Sequence, residues 1–363
     1  MVSLRVSWID TAKGLGIFLV VIGHVLQGLT KAGLQTPAAA FQFIDSFLYS
    51  FHMPLFFFLS GLFIDYSLKK GLGTYLAGKL AIIAYPYVLW SLIQAFLNER
   101  FSAFTNEHVT VAEVFRNLPV EPYSQFWFLH ALFFHFVILG ALKYAKVPNL
   151  AILIMSFIGF GQHTLFGFSA SGNFSNLLYY LPYTAMGLMG ASKLLMISWS
   201  RRPLMSVAIA LTGFMLVAAM AAFGSWPKTS PYALIPALVG IAASITLAFA
   251  MHFSGNFGWL MRIGIFSLPI YLMHTIAAAA TRAALRYALG VEHVWMHAAM
   301  GVAVGIAGPM AVAVLVRRLS LGWLFEWPLP ARRKPLVVQP ERVRLKIANP
   351  DLTPHEDLTQ CRS

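Results

Sequence analysis

Lys13-Gly14-Leu15-Gly16-Ile17-Phe18-Leu19-Val20-Val21-Ile22-Gly23-His24 places two ionisable side chains eleven residues apart in an otherwise apolar run. With its flanks the run is long enough to cross a bilayer. An ionisable group at the centre of a spanning helix costs about 2.5–3.5 kcal/mol on insertion scales, so one that stays there needs a partner or a task. Two later apolar stretches repeat the pattern with His52 and His274. Chemistry inside a membrane is the first expectation.

The composition agrees. The 363 residues are 58% hydrophobic and 11% charged, with a mean hydropathy of +0.70, which leaves too little polar surface to cover a soluble globule. Windows of about 20 apolar residues fall at 11–30, 40–64, 75–97, 124–142, 149–166, 177–194, 204–222, 232–252, 263–286 and 294–316. The expected fold is therefore an all-α, polytopic integral membrane protein of about ten transmembrane helices. Residues 1–325 form its membrane unit, and 331–363 form a basic, disordered tail. The fifth span is short and Gly-rich, and Pro54 interrupts the second. The first lacks a small-x-small exit and is expected to stay as a helix.

Charge sets the orientation. Ten spans with the amino terminus inside put Arg5, Lys69, Lys70, Lys79, Lys143, Lys146, Lys193, Arg201, Arg202 and Arg262 on the cytoplasmic side, joined by the nine basic residues from Arg317 onward. Only Lys31, Arg100, Arg116, Lys228, Arg282 and Arg286 fall outside, as the positive-inside rule requires. The net charge of +13 is thus accounted for by membrane topology, and no nucleic-acid partner is expected. The tail is expected to rest on anionic lipid. The single cysteine, Cys361, excludes a disulfide framework and a catalytic thiol. No His-x3-His or His-Glu pair lies within a span, so no metal is expected.

Several residues could carry chemistry. Ser7-Trp8-Ile9-Asp10 reads as a helix cap, and Asp10 sits one turn from Lys13. His24 lies about 16 Å beyond Lys13 along a helix, too deep to reach the headgroups easily. His52 stands beside Pro54, whose missing N–H frees a carbonyl, and irregular backbone at membrane depth is tolerated only where protein or water covers it. Tyr271 and His274, three apart, share a face, and His274 comes out about 16 Å deep when counted from the start of its span. Ser60, Trp90 and Trp127 are further candidate substrate contacts, with an interfacial aromatic belt as the plainer reading of the two tryptophans. A proton-coupled transporter or flippase using Lys13 and the histidines is the rival reading.

Taken in order, Asp10-x2-Lys13-Gly14-x9-His24, Phe51-His52-Met53-Pro54-Leu55-Phe56-Phe57-Phe58-Leu59-Ser60-Gly61, Tyr85-Pro86-Tyr87-x2-Trp90, Trp127-Phe128-Leu129 and Ile270-Tyr271-Leu272-x-His274 resemble the membrane acyltransferase-3 family. The likeness is strongest to its fucose 4-O-acetylase-like branch and covers about residues 5–325. The resemblance implies a ten-helix enzyme that moves an acyl group, usually acetyl, from cytoplasmic acetyl-CoA to a hydroxyl of a carbohydrate or glycolipid acceptor. It also implies a multi-pass protein of the cell inner membrane, working beside polysaccharide biosynthesis proteins on exopolysaccharide or a similar glycan. The family's basic-x10-histidine motif falls on Lys13 and His24. Lysine keeps the charge of the arginine many members carry but lacks its bidentate fork. On this reading His24 is the base or transient acyl acceptor, Asp10 orients Lys13, and His52 or His274 orients His24 or shares its proton. Lys13 and the inner basic loops hold the CoA phosphates.

Overall fold

A computed structural model of the chain describes residues 6–34, 37–102, 105, 109–165, 173–195, 203–223, 230–255 and 257–328. The tail at 331–363, and with it the expected lipid contact, lies outside the described residues, as do Arg5, Arg201, Arg202, Lys228 and Cys361. Every regular element among the described residues is helical. Besides short helices at Ile64–Leu68 and Val111–Asn117, the helices are α1 (Ser7–Lys31), α2 (Ala38–Gly61), α3 (Leu72–Arg100), α4 (Ser124–Tyr144), α5 (Asn149–Leu165), α6 (Asn173–Leu194), α7 (Pro203–Phe223), α8 (Pro231–Phe253), α9 (Gly258–Ile265), α10 (Ser267–Ala288) and α11 (Val294–Arg318).

Each of the ten expected spans meets a helix. By length and composition, however, the described residues supply seven crossings (α1, α2 with its short extension to Leu68, α3, α4, α7, α8 and α11), or eight if α9 and α10 count as one. The helix α5, with 17 residues, is shorter than a hydrocarbon core of about 30 Å needs. In α6, Asn173, Asn176, three tyrosines and Pro182 dilute the apolar run. Leu204, Met215 and Leu216 on α7, and Leu150, Ile154 and Ile158 on α5, are exposed. Such apolar faces are suited to lipid, not to water.

Three local readings change. The N-cap of α1 is Val6, with no side-chain cap bond, so Ser7 is the first helical residue and Asp10 belongs to the first turn, where a carboxylate favours the helix dipole. The expected break at Pro54 does not occur, and α2 is helical from Ala38 to Gly61. Side chains beside the missing amide turn back on the backbone: Ser50 Oγ donates to Phe47 O at 2.7 Å, and His52 Nδ1 lies 2.5 Å from Leu48 O. Neither bond reaches Ser50 O, the carbonyl that Pro54 leaves without its amide partner, and the helix continues across the proline all the same. The ninth span, expected to be continuous over 263–286, is bent by 80° between α9 and α10. Pro269 lies in the first turn of α10, where its lack of N–H removes no bond. In an unbroken helix it would have orphaned Ile265 O.

The bundle is organised around α1, which packs against α2, α8, α9, α10 and α11. The crossing with α9 is backbone on backbone. A Cβ added at Gly14 would meet Leu260 O at 2.0 Å, and one at Gly264 would meet Asp10 O at 1.7 Å. A second such crossing joins α2 to α6, where Gly61 abuts Thr184 O and Gly187 abuts Phe58 O. Small residues at helix crossings are the membrane substitute for hydrophobic association, which lipid does not provide.

Gly264→Ala is expected to force α1 and α9 apart and lower the thermal midpoint of the detergent-purified protein, an overpacking cost of about 1–3 kcal/mol. Gly73→Ala, where an added Cβ would meet nothing within 4 Å, should leave the midpoint unchanged or raise it.

Candidate active site

Four residues of α1, His24, Gln27, Gly28 and Lys31, follow the i, i+3, i+4, i+7 spacing of one helix face and line one cavity of about 400 Å³. That volume suits a small ligand, whose pockets run to about 300–1,000 Å³. Thr275 and Arg282 of α10 face it, and Gln94 and Asn98 of α3 close a side. The ends of α1, α3 and α10 meet here, as does Ser124 at the start of α4. The carboxyl ends of α1, α3 and α10 and the amino end of α4 thus lie on one side of the bundle.

Behind the cavity the imidazoles of His24 and His274 approach, with ring centroids 5.1 Å apart and planes inclined by 55°. His274 is fully buried, and its Nδ1 lies 3.0 Å from Ile270 O and 2.9 Å from Tyr271 O. Carbonyl oxygens only accept, so Nδ1 carries the proton of the neutral ring and Nε2 keeps a lone pair. That Nε2 is buried and has no hydrogen-bond partner among the described residues. Because α10 begins at Ser267, His274 sits about 10 Å into its helix instead of the expected 16 Å.

His52 reaches His24 through an intermediary. Its ring lies edge-on to Tyr49 at 4.6 Å, and Tyr49 lies edge-on to His24 at 6.2 Å. Tyr49 donates to Gln27 Oε1 at 3.1 Å, and Gln27 Nε2 donates to Asp45 Oδ1 at 2.6 Å. One acid on α2 thus orients an amide on the cavity wall.

A buried polar cluster fixes the rotation of α10. Gln94 and Gln125 exchange amide bonds of 3.2 and 2.8 Å, Gln125 Nε2 donates to Thr275 Oγ1 at 2.9 Å, and Thr275 Oγ1 donates to Gln94 Oε1 at 3.0 Å. Tyr271 OH donates to the backbone carbonyl of Gln125. Gln125 therefore grips α10 at Tyr271 and Thr275, on either side of His274. Ser124, which aims Gln125, holds a left-handed φ of 51°, at a cost of about 1–2 kcal/mol.

The other expected residues lie apart. Asp10 is buried and Lys13 half-buried, with Nζ 5.9 Å from the Phe63 ring centre. Neither lines the cavity. Trp127 packs on Tyr180 and Phe57, with Ser60 one residue before the Gly61 crossing. Trp90 donates to Leu324 O at 2.7 Å and stacks on Phe325 at an 8° tilt. It fastens the segment after α11, whose Trp327 amide donates at 3.0 Å to Ala81 O in the π turn Leu80–Ala84 of α3.

Sequence reasoning passed over Gln27, Gln94 and Thr275, counted Lys31 and Arg282 only toward orientation, and met Gln125 only as a weak polar position beside Trp127. Gln27 and Lys31 had a signal, a polar stripe continuing from His24. The Gln94–Gln125–Thr275 cluster joins residues 31, 150 and 181 positions apart, and a single sequence carries no trace of that pairing.

No solved structure matches this chain. A stretch of 150 residues is 31% identical to the nodulation protein NolL of Mesorhizobium japonicum and covers 40% of this chain and 38% of that protein. The acyltransferase-3 family profile, described as an acyltransferase domain, matches residues 6–317. With the profile running from the first turn of α1 to the last turn of α11, the chain belongs to that acyltransferase family.

Proposed function

We propose that this protein is a membrane O-acyltransferase of the fucose 4-O-acetylase-like kind. In this reading it takes an acetyl group from acetyl-CoA on the cytoplasmic face and places it on a hydroxyl of a cell-surface or exported carbohydrate. The observation that carries the reading is the His24–His274 contact at the floor of a cavity open toward the ends of α1 and α10. The orientation follows the charge count, which sets the cavity toward the outer face of the cell inner membrane.

The acceptor hydroxyl enters the cavity beside His24. Its oxygen attacks the thioester carbon as a ring nitrogen of His24 takes the proton. The C–O bond forms, the C–S bond breaks, and the departing sulfur is reprotonated and leaves as CoA thiol. The lone pair on His274 Nε2 can accept a hydrogen bond from protonated His24, which stabilises the imidazolium as it forms. Lys13, about 16 Å away along α1, binds the anionic end of CoA while the pantetheine arm runs toward His24. Gln125 acts through His274, as a positioning residue.

Membranes or purified protein given radiolabelled acetyl-CoA and a glycan acceptor should form a labelled ester. His24→Ala should lower that rate by at least about 100-fold with unchanged protein in the membrane fraction, and retained transfer would remove His24 from the reaction. A chain that leaves the thioester intact with every acceptor, yet moves protons or solute across proteoliposomes, would instead be a transporter.

Gln125→Leu should lower kcat by about 10- to 100-fold through misplacement of His274, with KM for acetyl-CoA unchanged. Steady-state kinetics on the two substrates separates this from a binding defect.

A further inference from the structure

The amide of Gln27 stands on the cavity wall one turn beyond His24, and its orientation is fixed from behind. A carboxylate accepts hydrogen bonds and donates none, so the side of the amide turned to Asp45 Oδ1, 2.6 Å away, is the NH2. Reversing the amide would set its oxygen against the acid. Oε1 then accepts from Tyr49 OH at 3.1 Å. Asp45 and Tyr49 are four apart on α2 and share a face, which grips both ends of the amide at once.

A primary amide has two N–H donors and two acceptor lone pairs, and α2 engages one of each. Among the described residues Gln27 makes no other hydrogen bond. One donor and one acceptor are left on a side chain that lines the cavity. A hydroxyl, which both donates and accepts, matches that pair, whereas an apolar group would meet neither and an anion only the donor. Asn98 of α3, on the same cavity, is likewise a fastened amide, its Nδ2 donating to Tyr123 OH. Much of the remaining lining is apolar, with Val25, Leu97, Ile276 and a run of alanines. A few fixed polar groups in an apolar wall are what give a small-ligand pocket its specificity. Gln27 follows His24 by three residues, about 4.5 Å of rise, so a hydroxyl at Gln27 sits beside the one presented to His24.

We propose that Gln27 selects the acceptor by binding a second sugar hydroxyl, on the ring carbon next to the one acylated, with Asp45 and Tyr49 as its positioning residues. This rests on reading the cavity as the acceptor site. The ligand class is a pyranose with neighbouring hydroxyls, and a sugar lacking the second one is disfavoured because the amide groups then go unpaired. One such hydrogen bond is worth about tenfold in affinity.

The test is binding to the full-length, detergent-purified chain. The probes are the p-nitrophenyl glycosides of fucose, galactose, glucose and mannose, each with its monodeoxy analogues, titrated calorimetrically without acetyl-CoA. For the sugar bound most tightly, removing the hydroxyl at either of two adjacent ring positions should weaken binding about tenfold. Gln27→Leu should weaken the parent sugar to the level of one of these analogues and leave that analogue unchanged, so that one ratio falls to unity while the other survives. A purely structural role for Gln27 would weaken every probe alike and preserve both ratios. Tyr49→Phe, which removes the bond to Oε1, should lower the same ratio several-fold. If Gln27→Leu does not fold, Gln27→Asn, whose amide is drawn back by one methylene, should lower that ratio instead. Failure of every glycoside to bind, or survival of both ratios in the folded Gln27 variant, overturns the proposal. Transfer of labelled acetyl to the same probes is measured separately. Its absence with every probe would count against the acyltransfer reading and leave the binding ratios standing on their own measurement.

Discussion

The close crossing of α1 with α9 is the constraint from which the rest of the bundle follows. A helix bearing Asp10, Lys13, His24 and Gln27 cannot face lipid, where each polar group would go unsatisfied. It has to be surrounded, and five helices surround it. Glycines at 14 and 264 let α9 press its backbone onto the first turns of α1. Lying there, α9 cannot continue straight into α10. The 80° bend is the consequence, and Pro269, placed in the first turn of α10, tolerates it. The bend then sets where α10 starts and so how deep His274 lies.

Much of this was legible in the sequence where the information is local. The apolar windows placed a helix at each expected segment, because hydrocarbon thickness imposes a length that composition reveals. Tyr271 and His274 sharing a face follows from helical geometry alone. Pro54 misled because a proline reports a missing N–H and a local clash, and says nothing of the packing around α2 that keeps the helix continuous from Ala38 to Gly61. The bend at Phe266 was invisible for a related reason: its cause is the fit of Gly264 against Asp10 O, a contact between residues 254 positions apart. Trp90, a candidate substrate contact or part of an interfacial belt by sequence, has a third role that sequence does not carry: its indole secures the chain after α11, a partner 234 residues away.

The histidines illustrate how burial and hydrogen bonding divide labour among like residues. His135 is fully buried with both nitrogens engaged, Nδ1 by Thr184 Oγ1 at 2.8 Å and Nε2 by Leu177 O at 2.9 Å. It has nothing left to offer and serves packing. His274 is equally buried, but backbone carbonyls occupy only its Nδ1, which fixes the tautomer and leaves Nε2 as an acceptor in a ring 5.1 Å from that of His24. The two imidazoles differ by one satisfied nitrogen, and only His274 keeps the free acceptor that the proposed transfer would use. A buried acceptor left unpaired costs about 1–3 kcal/mol. That cost has an evident use only when a proton arrives, which is what His24 would deliver during transfer.

The rigidity of α1 adds a geometric argument to the proposed reaction. Lys13 and His24 are held by one continuous helix, so their separation of about 16 Å is a fixed rise that loop motion does not change. A donor that meets both must be long and thin, with its charge at one end and its reactive carbon at the other. A single buried helix would then index two points along the membrane normal, the anionic end of the donor and the site of acyl transfer. Sliding or tilting α1 would disturb both together, and the glycine crossing pins its first turns against such movement.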